Sequence, residues 1–366
     1  MASGPPYDDL VTGAGDGQYP GGTILRHRSF FTMTTIIDAD GVSKRFRQHK
    51  RFPGFFGALR GLVTRDFTDV SAVEDVSFTI AQGEAVGYLG PNGAGKSTMI
   101  KMMTGILVPS AGEVRVFGRT PHEHRIQNAR EIGVVFGQRS QLWWDLPVMD
   151  SFLLHQRIYR IEETRFRANL ERFSKLLDLT PFLDRPVRQL SLGQRMRSEI
   201  VMALLHDPKV LFLDEPTIGL DVVAKDAVRK FLAEVNRERG TTIILTTHDL
   251  VDIEEICPRL IMVDGGKLLF DGELRNLRAA LGGARKLRLE FESDPGPVAL
   301  ARAALVNDDG VFKYYRIERP DVSLVSILAE LPEGLPLKDV LVEEPTIEEV
   351  IRAFYQGRNA AALTAT

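Results

Sequence analysis

The chain has 366 residues, 44% of them apolar and 26% charged, with 46 Lys and Arg against 49 Asp and Glu for a net charge of −3. That balance belongs to a globular protein with a sizeable core, and it gives no global basic field for nucleic acid. The single cysteine, Cys257, excludes a disulfide framework within the chain and fits a reducing compartment, and no apolar run reaches the ~18 residues of a membrane span.

Residues 1–33, rich in Gly and Pro, read as a flexible tail, with Met33 as an alternative start of translation. Short β-rich runs follow at 34–42 (TTIIDADGV), 76–80 (VSFTI), 84–90 (EAVGYLG), 113–118 (EVRVFG) and 132–137 (IGVVFG). An insert at 47–70 separates the first two and carries Phe52, Phe55, Phe56, Leu59, Leu62 and Val63 at helical spacing among Arg and Lys. That stripe suits a helix packed on the neighbouring strands. From 148 to 185 the pattern is helical: Phe152, Leu153, Ile158 and Tyr159, then Phe166, Leu170, Phe173, Leu176 and Leu177. Two runs, KVLFLDEP at 209–216 and TTIILTTHD at 241–249, are almost wholly apolar and predict parallel strands covered on both faces. A helix is predicted between them over 224–239. LIMVDGGKLLFDG at 260–272 predicts a hairpin turning at Asp264-Gly265-Gly266. LGGARK at 281–286 reads as a linker. Beyond it, KLRLEFE alternates with Leu287, Leu289 and Phe291 on one face. A helical run at 322–331 and a strand-like run at 339–344 come next. Thr346 and Glu349 then sign a capping box before a last helix with Ile347, Val350, Ile351 and Phe354. Residues 286–356 thus form a small α+β unit, and 357–366 a tail.

GYLGPNGAGKST at 87–98 holds G-x-x-x-x-G-K-[ST] as Gly90, Gly95, Lys96 and Ser97, after a predicted strand and opening a helix. In that setting the backbone from Pro91, Asn92, Gly93 and Ala94 to Thr98 can turn its amides into one phosphate cradle. Lys96 then reaches the β- and γ-phosphates and Ser97 ligates Mg²⁺. VLFLDEP delivers Asp214 and Glu215 to the carboxyl end of a buried strand, where open α/β sheets bind ligands. Asp214 suits Mg²⁺, and Glu215 is placed to orient or deprotonate an attacking water. LSLGQRMR at 190–197 opens another helix with Ser191 at its mouth, a second anion site in a chain that already has one.

In these motifs and their order, from about Asp38 to Gly272, the chain resembles the ABC transporter ATPase family. The resemblance implies an α/β fold of the P-loop NTPase class, ABC type, over 34–280: a mixed sheet core with a β subdomain and a helical subdomain at about 139–200. ATP and Mg²⁺ are the implied cofactors and ATP hydrolysis the implied activity. In the family, the LSGGQ signature of one subunit presses on the γ-phosphate held by another. Here Ser191, Gly193 and Gln194 would do so, with Leu192 in place of the first glycine, which answers the need for a second anion site. The resemblance also makes Gln138 the Q-loop glutamine that senses Mg²⁺ and the γ-phosphate. Asp221 becomes the D-loop aspartate at the dimer seam, His248 the switch histidine, and Phe46 the adenine-stacking aromatic.

The implied partners are a second ATPase subunit, as a homodimer or a related pair, and separate integral membrane transporter subunits. The chain would then sit peripherally on the cytoplasmic face of the cell membrane and power an exporter, resembling exporters of drug-like or organic cations; no nucleic acid is expected. The insert at 47–70 has contact with the membrane subunit or anionic headgroups as its second reading. In SQLWWDLPVMDSF, Trp143 and Trp144 read equally as anchors of a docking groove or as core. The rival class is an ABC ATPase acting on ribosomes or DNA. Such proteins carry two cradles or long coiled coils, whereas about 95 residues without sustained heptads separate Lys96 from Ser191 here. Intact Glu215 and His248 speak against a binding-only regulator.

Overall fold

The computed structural model describes residues 34–49, 67–137, 140–281, 285–317, 322–332, 334–344, 346–352 and 354. Met33, the stripe from Phe52 to Val63 and Gln138 lie outside the described residues.

Two long strands, β1 (Thr35–His49) and β2 (Phe67–Ala81), pair antiparallel. Four elements follow: β3 (Ala85–Leu89), α1 (Lys96–Met103), β4 (Ala111–Val116) and α2 (Arg125–Glu131). β4 joins β1 to make a three-stranded sheet in the order β2-β1-β4. Next come β5 (Ile132–Phe136), α3 (Val148–Tyr159), α4 (Glu163–Leu176), α5 (Leu192–Leu204), β6 (Val210–Asp214), α6 (Val222–Arg239) and β7 (Thr242–Thr246). α7 (Leu250–Ile256), β8 (Arg259–Asp264), β9 (Lys267–Glu273) and α8 (Leu274–Leu281) complete the main body. A six-stranded sheet runs β5-β6-β7-β3-β8-β9, parallel except for β9. The β8–β9 hairpin turns where expected, with Gly265 and Gly266 both at positive φ.

The apolar runs of β6 and β7 are continuous because both faces of this sheet are covered. Leu211, Leu213, Ile243 and Leu245 enter one core with Phe152, Phe173, Val228 and Leu232 of the helices. Their alternates Val210, Phe212 and Ile244 enter a second core with Met99, Ile100 and Met103 of α1 and Ile37, Val76 and Ile80 of the three-stranded sheet. The helical tract foreseen at 148–185 is broken into α3, α4 and a short 3-10 turn at Thr180–Phe182, and a second such turn follows at Val187–Gln189. Arg160 and Asp178 take left-handed backbone at the breaks.

A buried histidine pair ties α3 to the sheet. Ile132 O can only accept, so His206 Nε2–H donates to it at 2.9 Å, leaving Nδ1 to accept from His155 Nε2–H at 3.2 Å. The Tyr159 ring lies 4.2 Å from each imidazole. Burial pulls both pKa values below the ordinary 6.5, His155 to about 3 and His206 to about 4. The unfolded chain therefore takes up these protons first as pH falls. Their contribution to stability is intact above about 6.5 and is lost progressively toward pH 4 and below, by up to ~1.4 kcal/mol per pH unit for each imidazole. Thermal unfolding between pH 7.5 and 4.5 checks this: His155→Gln, which can still donate to His206, is expected to lose Tm less steeply than the wild type. Parallel curves would refute it.

A separate four-stranded sheet is built from β10 (Arg285–Phe291), β11 (Ala304–Asp309), β12 (Phe312–Ile317) and β13 (Leu337–Glu343), in the order β11-β12-β10-β13. Leu287, Leu289, Phe291, Tyr315 and Ile317 cover its inner face with Val298 and with Ile327 of α9 (Leu324–Leu328). The foreseen capping box forms reciprocally between Thr346 and Glu349 at 3.2 and 3.3 Å. Ile347 and Val350 after it join Leu274 and Leu277 in the main core, so the chain end folds back onto the large body.

Candidate active site

The cradle leaves the wholly buried β3 and enters α1. At Gly90 a Cβ would lie 2.3 Å from the Val263 carbonyl oxygen, and at Gly95 (φ +97) 2.2 Å from that of Ala72, so both positions need glycine. Pro91, Asn92 and Gly93 are exposed at the loop crest, Ala94 is buried beneath it, and Thr98 is half-buried on α1. Lys96 is buried and donates from Nζ to Gly90 O at 2.7 Å and Pro91 O at 3.1 Å. Burial lowers its pKa, a fall the neighbouring Glu215 and Asp214 carboxylates partly reverse. The ammonium is thus held across the loop mouth.

One carboxylate gathers three elements. Ser97 Oγ donates to Asp214 Oδ2 at 2.9 Å, and Thr246 Oγ1 donates to Oδ1 at 2.6 Å. Cradle, β6 and β7 therefore meet on Asp214. A hydroxyl and a carboxylate are hard oxygen donors, and two of them leave most of an octahedral shell to water and phosphate, which fits Mg²⁺ shared with a nucleotide.

Glu215 follows with φ +58 and its amide bonded to Thr246 O at 2.9 Å. Left-handed backbone at a non-glycine costs about 1 kcal/mol or more and survives only where the surroundings impose it. It carries the carboxylate to His248, whose Nε2 lies 2.6 Å from Oε1. Behind the pair, Asp252 is completely buried. It accepts from Thr217 Oγ1 at 2.5 Å, Thr247 Oγ1 at 2.8 Å and Arg229 Nε at 2.6 Å. Thr217 belongs to the loop of Glu215 and Thr247 to that of His248, so one buried anion fixes both. Asp249 adds to the clamp by pairing with Lys225 at 2.7 Å and Arg229 at 3.0 Å. The sequence reading missed this network; its trace was Thr246-Thr247 before the histidine and the i, i+4 cations Lys225 and Arg229 on α6.

The second mouth is a complete capping box. Ser191 Oγ accepts from Gln194 N at 3.2 Å and Gln194 Oε1 from Ser191 N at 3.0 Å. Leu192 is accommodated by Gly219 (φ +69), where a Cβ would come within 2.4 Å of the Leu192 Cδ2. Gly193 faces Leu220 and Ala224, and Asp221 caps α6 by accepting from Ala224 N at 2.8 Å. Ser191, Gly193, Gln194 and Asp221 thus form their own cluster, with Ser191 and Asp221 exposed and Gly193 and Gln194 half-buried. Among the described residues no hydrogen bond joins 190–194 to 90–98.

Phe46 belongs to neither group: it sits half-buried on β1 opposite Val70, with Lys44 Nζ 5.4 Å from its ring centre. Trp143 and Trp144 are 55% and 54% exposed, so neither is core. Their backbone is pinned instead, Trp143 N donating to Ser151 Oγ at 3.1 Å and Trp144 O accepting from Arg188 N at 3.0 Å.

Residues 73–218 match the family model described as ABC transporter. The chain is 35% identical over 208 residues to the ABC transporter ATP-binding protein NatA of Bacillus subtilis (strain 168), covering 57% of this chain and 84% of NatA. It is 32% identical to the Nod factor export ATP-binding protein I of Rhizobium johnstonii, over 79% of this chain and 91% of that relative. It is also 32% identical to the probable multidrug ABC transporter ATP-binding protein YbhF of Escherichia coli (strain K12), over 75% of this chain but only 43% of YbhF. Among solved structures, the post-hydrolysis dimer of the ATP-binding cassette MJ0796 with ADP and Pi is similar with a TM-score of 0.55. Identity to it is 26%, covering 65% of this chain and 99% of that one.

Proposed function

The chain belongs to the ATP-binding proteins of ABC transporters and is an ATPase, and from that premise we propose that it powers an exporter by closing in pairs around ATP and Mg²⁺. Residues 34–280 form the ATPase domain, with the helical subdomain at about 139–200, and 286–356 an accessory domain. The pair works at the cytoplasmic face of the cell membrane, docked on separate integral membrane subunits. No helix among the described residues is long and apolar enough to cross a membrane, so the membrane path belongs to those partners. The export direction is supported by the relatives named for Nod factor export and multidrug transport. The exposed Trp143 and Trp144 supply the aromatic anchors of the docking surface.

The observation that carries this reading is the division of phosphate-binding groups into two clusters, with no hydrogen bond between 90–98 and 190–194 among the described residues. Lys96, Ser97, Asp214, Glu215 and His248 gather at the cradle; Ser191, Gly193, Gln194 and Asp221 lie at the other helix mouth, Ser191 and Asp221 exposed and Gly193 and Gln194 half-buried. Two copies placed face to face complete each other's sites, each cradle capped by the partner's helix mouth. Gln138, in the segment after β5, joins the Mg²⁺ and γ-phosphate contacts, and Phe46 stacks on adenine. Hydrolysis removes the γ-phosphate that holds the seam, and the equilibrium returns to the open pair.

Ser191→Arg tests the sharing. A guanidinium at the helix mouth leaves its own cradle whole and obstructs the one opposite. Titrating the variant into wild type is expected to lower ATP turnover per wild-type subunit as mixed pairs form. Turnover that stays constant through an excess of variant would remove the paired mechanism.

A further inference from the structure

We propose that the outer face of the four-stranded sheet is a binding site for a small organic anion carrying an aromatic or apolar body. Cross-strand register places side chains there in rows. Tyr314 pairs with Arg288 and Arg288 with Leu341; one row on, Arg316 pairs with Lys286 and Lys286 with Glu343. These residues alternate with Leu287, Leu289, Tyr315 and Ile317, which point into the core beneath, so the sheet turns this face to solvent. Leu341 is 40% exposed and Val306 of β11 58%.

Together they line a cavity of about 330 Å³. That volume is at the lower end for small-molecule sites, which suits a ligand of one or two rings. Three cations, Lys286, Arg288 and Arg316, line it with one carboxylate, Glu343. Lys286 is already paired with Glu349 at 2.8 Å. Among the described residues Arg288 makes a cation–π contact, 5.6 Å over the Phe312 ring, and no ion pair. Arg316 is exposed and makes no ion pair among the described residues. Two guanidinium groups with no ion pair among the described residues therefore stand beside the Tyr314 ring and the Leu341 and Val306 walls. Guanidinium forks select carboxylate, sulfonate or phosphate, and the ring and aliphatic walls select the body attached to it. The adjoining row is acidic, with Asp309, Glu290 and Asp339 in register around Phe312. The positive stretch is thus one small ligand long, and a nucleic-acid strand would run from it into carboxylates.

Calorimetric titration of the full chain with naphthalene-1-sulfonate tests the site, with 1-naphthylmethylammonium, inorganic sulfate and an oligouridine as comparison ligands. Saturable one-to-one binding of the sulfonate is expected, at least about tenfold tighter than of the cation or sulfate. Arg316→Ala and Tyr314→Ala should each weaken it about tenfold or more, while ATP turnover, the measure of intact folding, stays unchanged. The proposal fails if no saturable heat appears, if the ammonium binds as well as the sulfonate, or if both variants bind like wild type. It fails equally if oligouridine is the tightest ligand. None of these outcomes depends on the exporter reading.

Discussion

Glu215→Gln is expected to lower ATP turnover by about 10²–10⁴-fold, the range that a positioned general base contributes, while ATP binding survives. Glutamine preserves shape and can still meet His248 at the 2.6 Å separation that Glu215 Oε1 now holds. It cannot take a proton from the attacking water. The backbone at 215 is already committed to φ +58 by the Glu215 N–H to Thr246 O bond, and a side-chain amide leaves that bond intact. The hydrogen bonds of the cradle are unaltered, since Lys96 and Ser97 bond to Gly90, Pro91 and Asp214, and Lys96 loses only the charge attraction of Glu215 while keeping that of Asp214. The consequence is a protein that loads nucleotide and closes but does not reopen. Size-exclusion chromatography with ATP should show a persistent dimer, and single-turnover kinetics a slow chemical step. Turnover within about threefold of wild type would take the base role from Glu215; a loaded variant that elutes as a monomer would remove the closure step.

Contiguity decided what could be read in advance. The phosphate cradle occupies one short stretch, each residue fixed by a local demand: glycine where a Cβ would strike the carbonyls of Val263 or Ala72, lysine across the mouth, serine on the first turn of α1. The parallel strands were legible because burial on both faces leaves a run such as VLFL with no polar interruption. The Asp252 clamp was not legible. Its partners Thr217 and Arg229 are separated from it by 35 and 23 positions, and only folding brings α6, α7 and the two loops together. The same holds for the room that Gly219 gives Leu192.

Elsewhere local signals misled. Arg160 and Asp178 end helical stretches in left-handed backbone without the glycine that usually marks it, so the helical pattern at 148–185 carried no sign of where its helices end. The β11–β12 hairpin does carry Asp309-Gly310 at its turn, but every residue of β11 is exposed, and its pattern lacks the apolar alternation that betrays a strand. Trp143 and Trp144 show a different limit: the sequence leaves core and docking groove equally open, and the fold turns both outward.

Lys96→Ala should be as damaging, by a different route. Its ammonium bridges Gly90 O and Pro91 O and faces Asp214 and Glu215 in a partly desolvated site. Alanine leaves two carboxylates without the Lys96 charge that acts on both, so a polyanionic triphosphate meets repulsion where it met a counter-charge. A charge-assisted hydrogen bond is worth about 1.5–3 kcal/mol, so affinity for ATP should fall about 10–150-fold. Turnover should fall further, because the same charge that binds the γ-phosphate in the ground state stabilises it more strongly during transfer. Lys96→Arg restores charge but not shape: the wider guanidinium cannot sit on both carbonyls in a mouth closed by Gly90 and Gly95, and only partial binding should return. Thermal shift with a titration of ATP separates folding from binding, since ligand stabilisation scales with the logarithm of ligand concentration over the dissociation constant. The variant is expected to melt normally without nucleotide and to gain little with it. An ATP-dependent shift equal to wild type, with turnover intact, would move the phosphate contact away from Lys96.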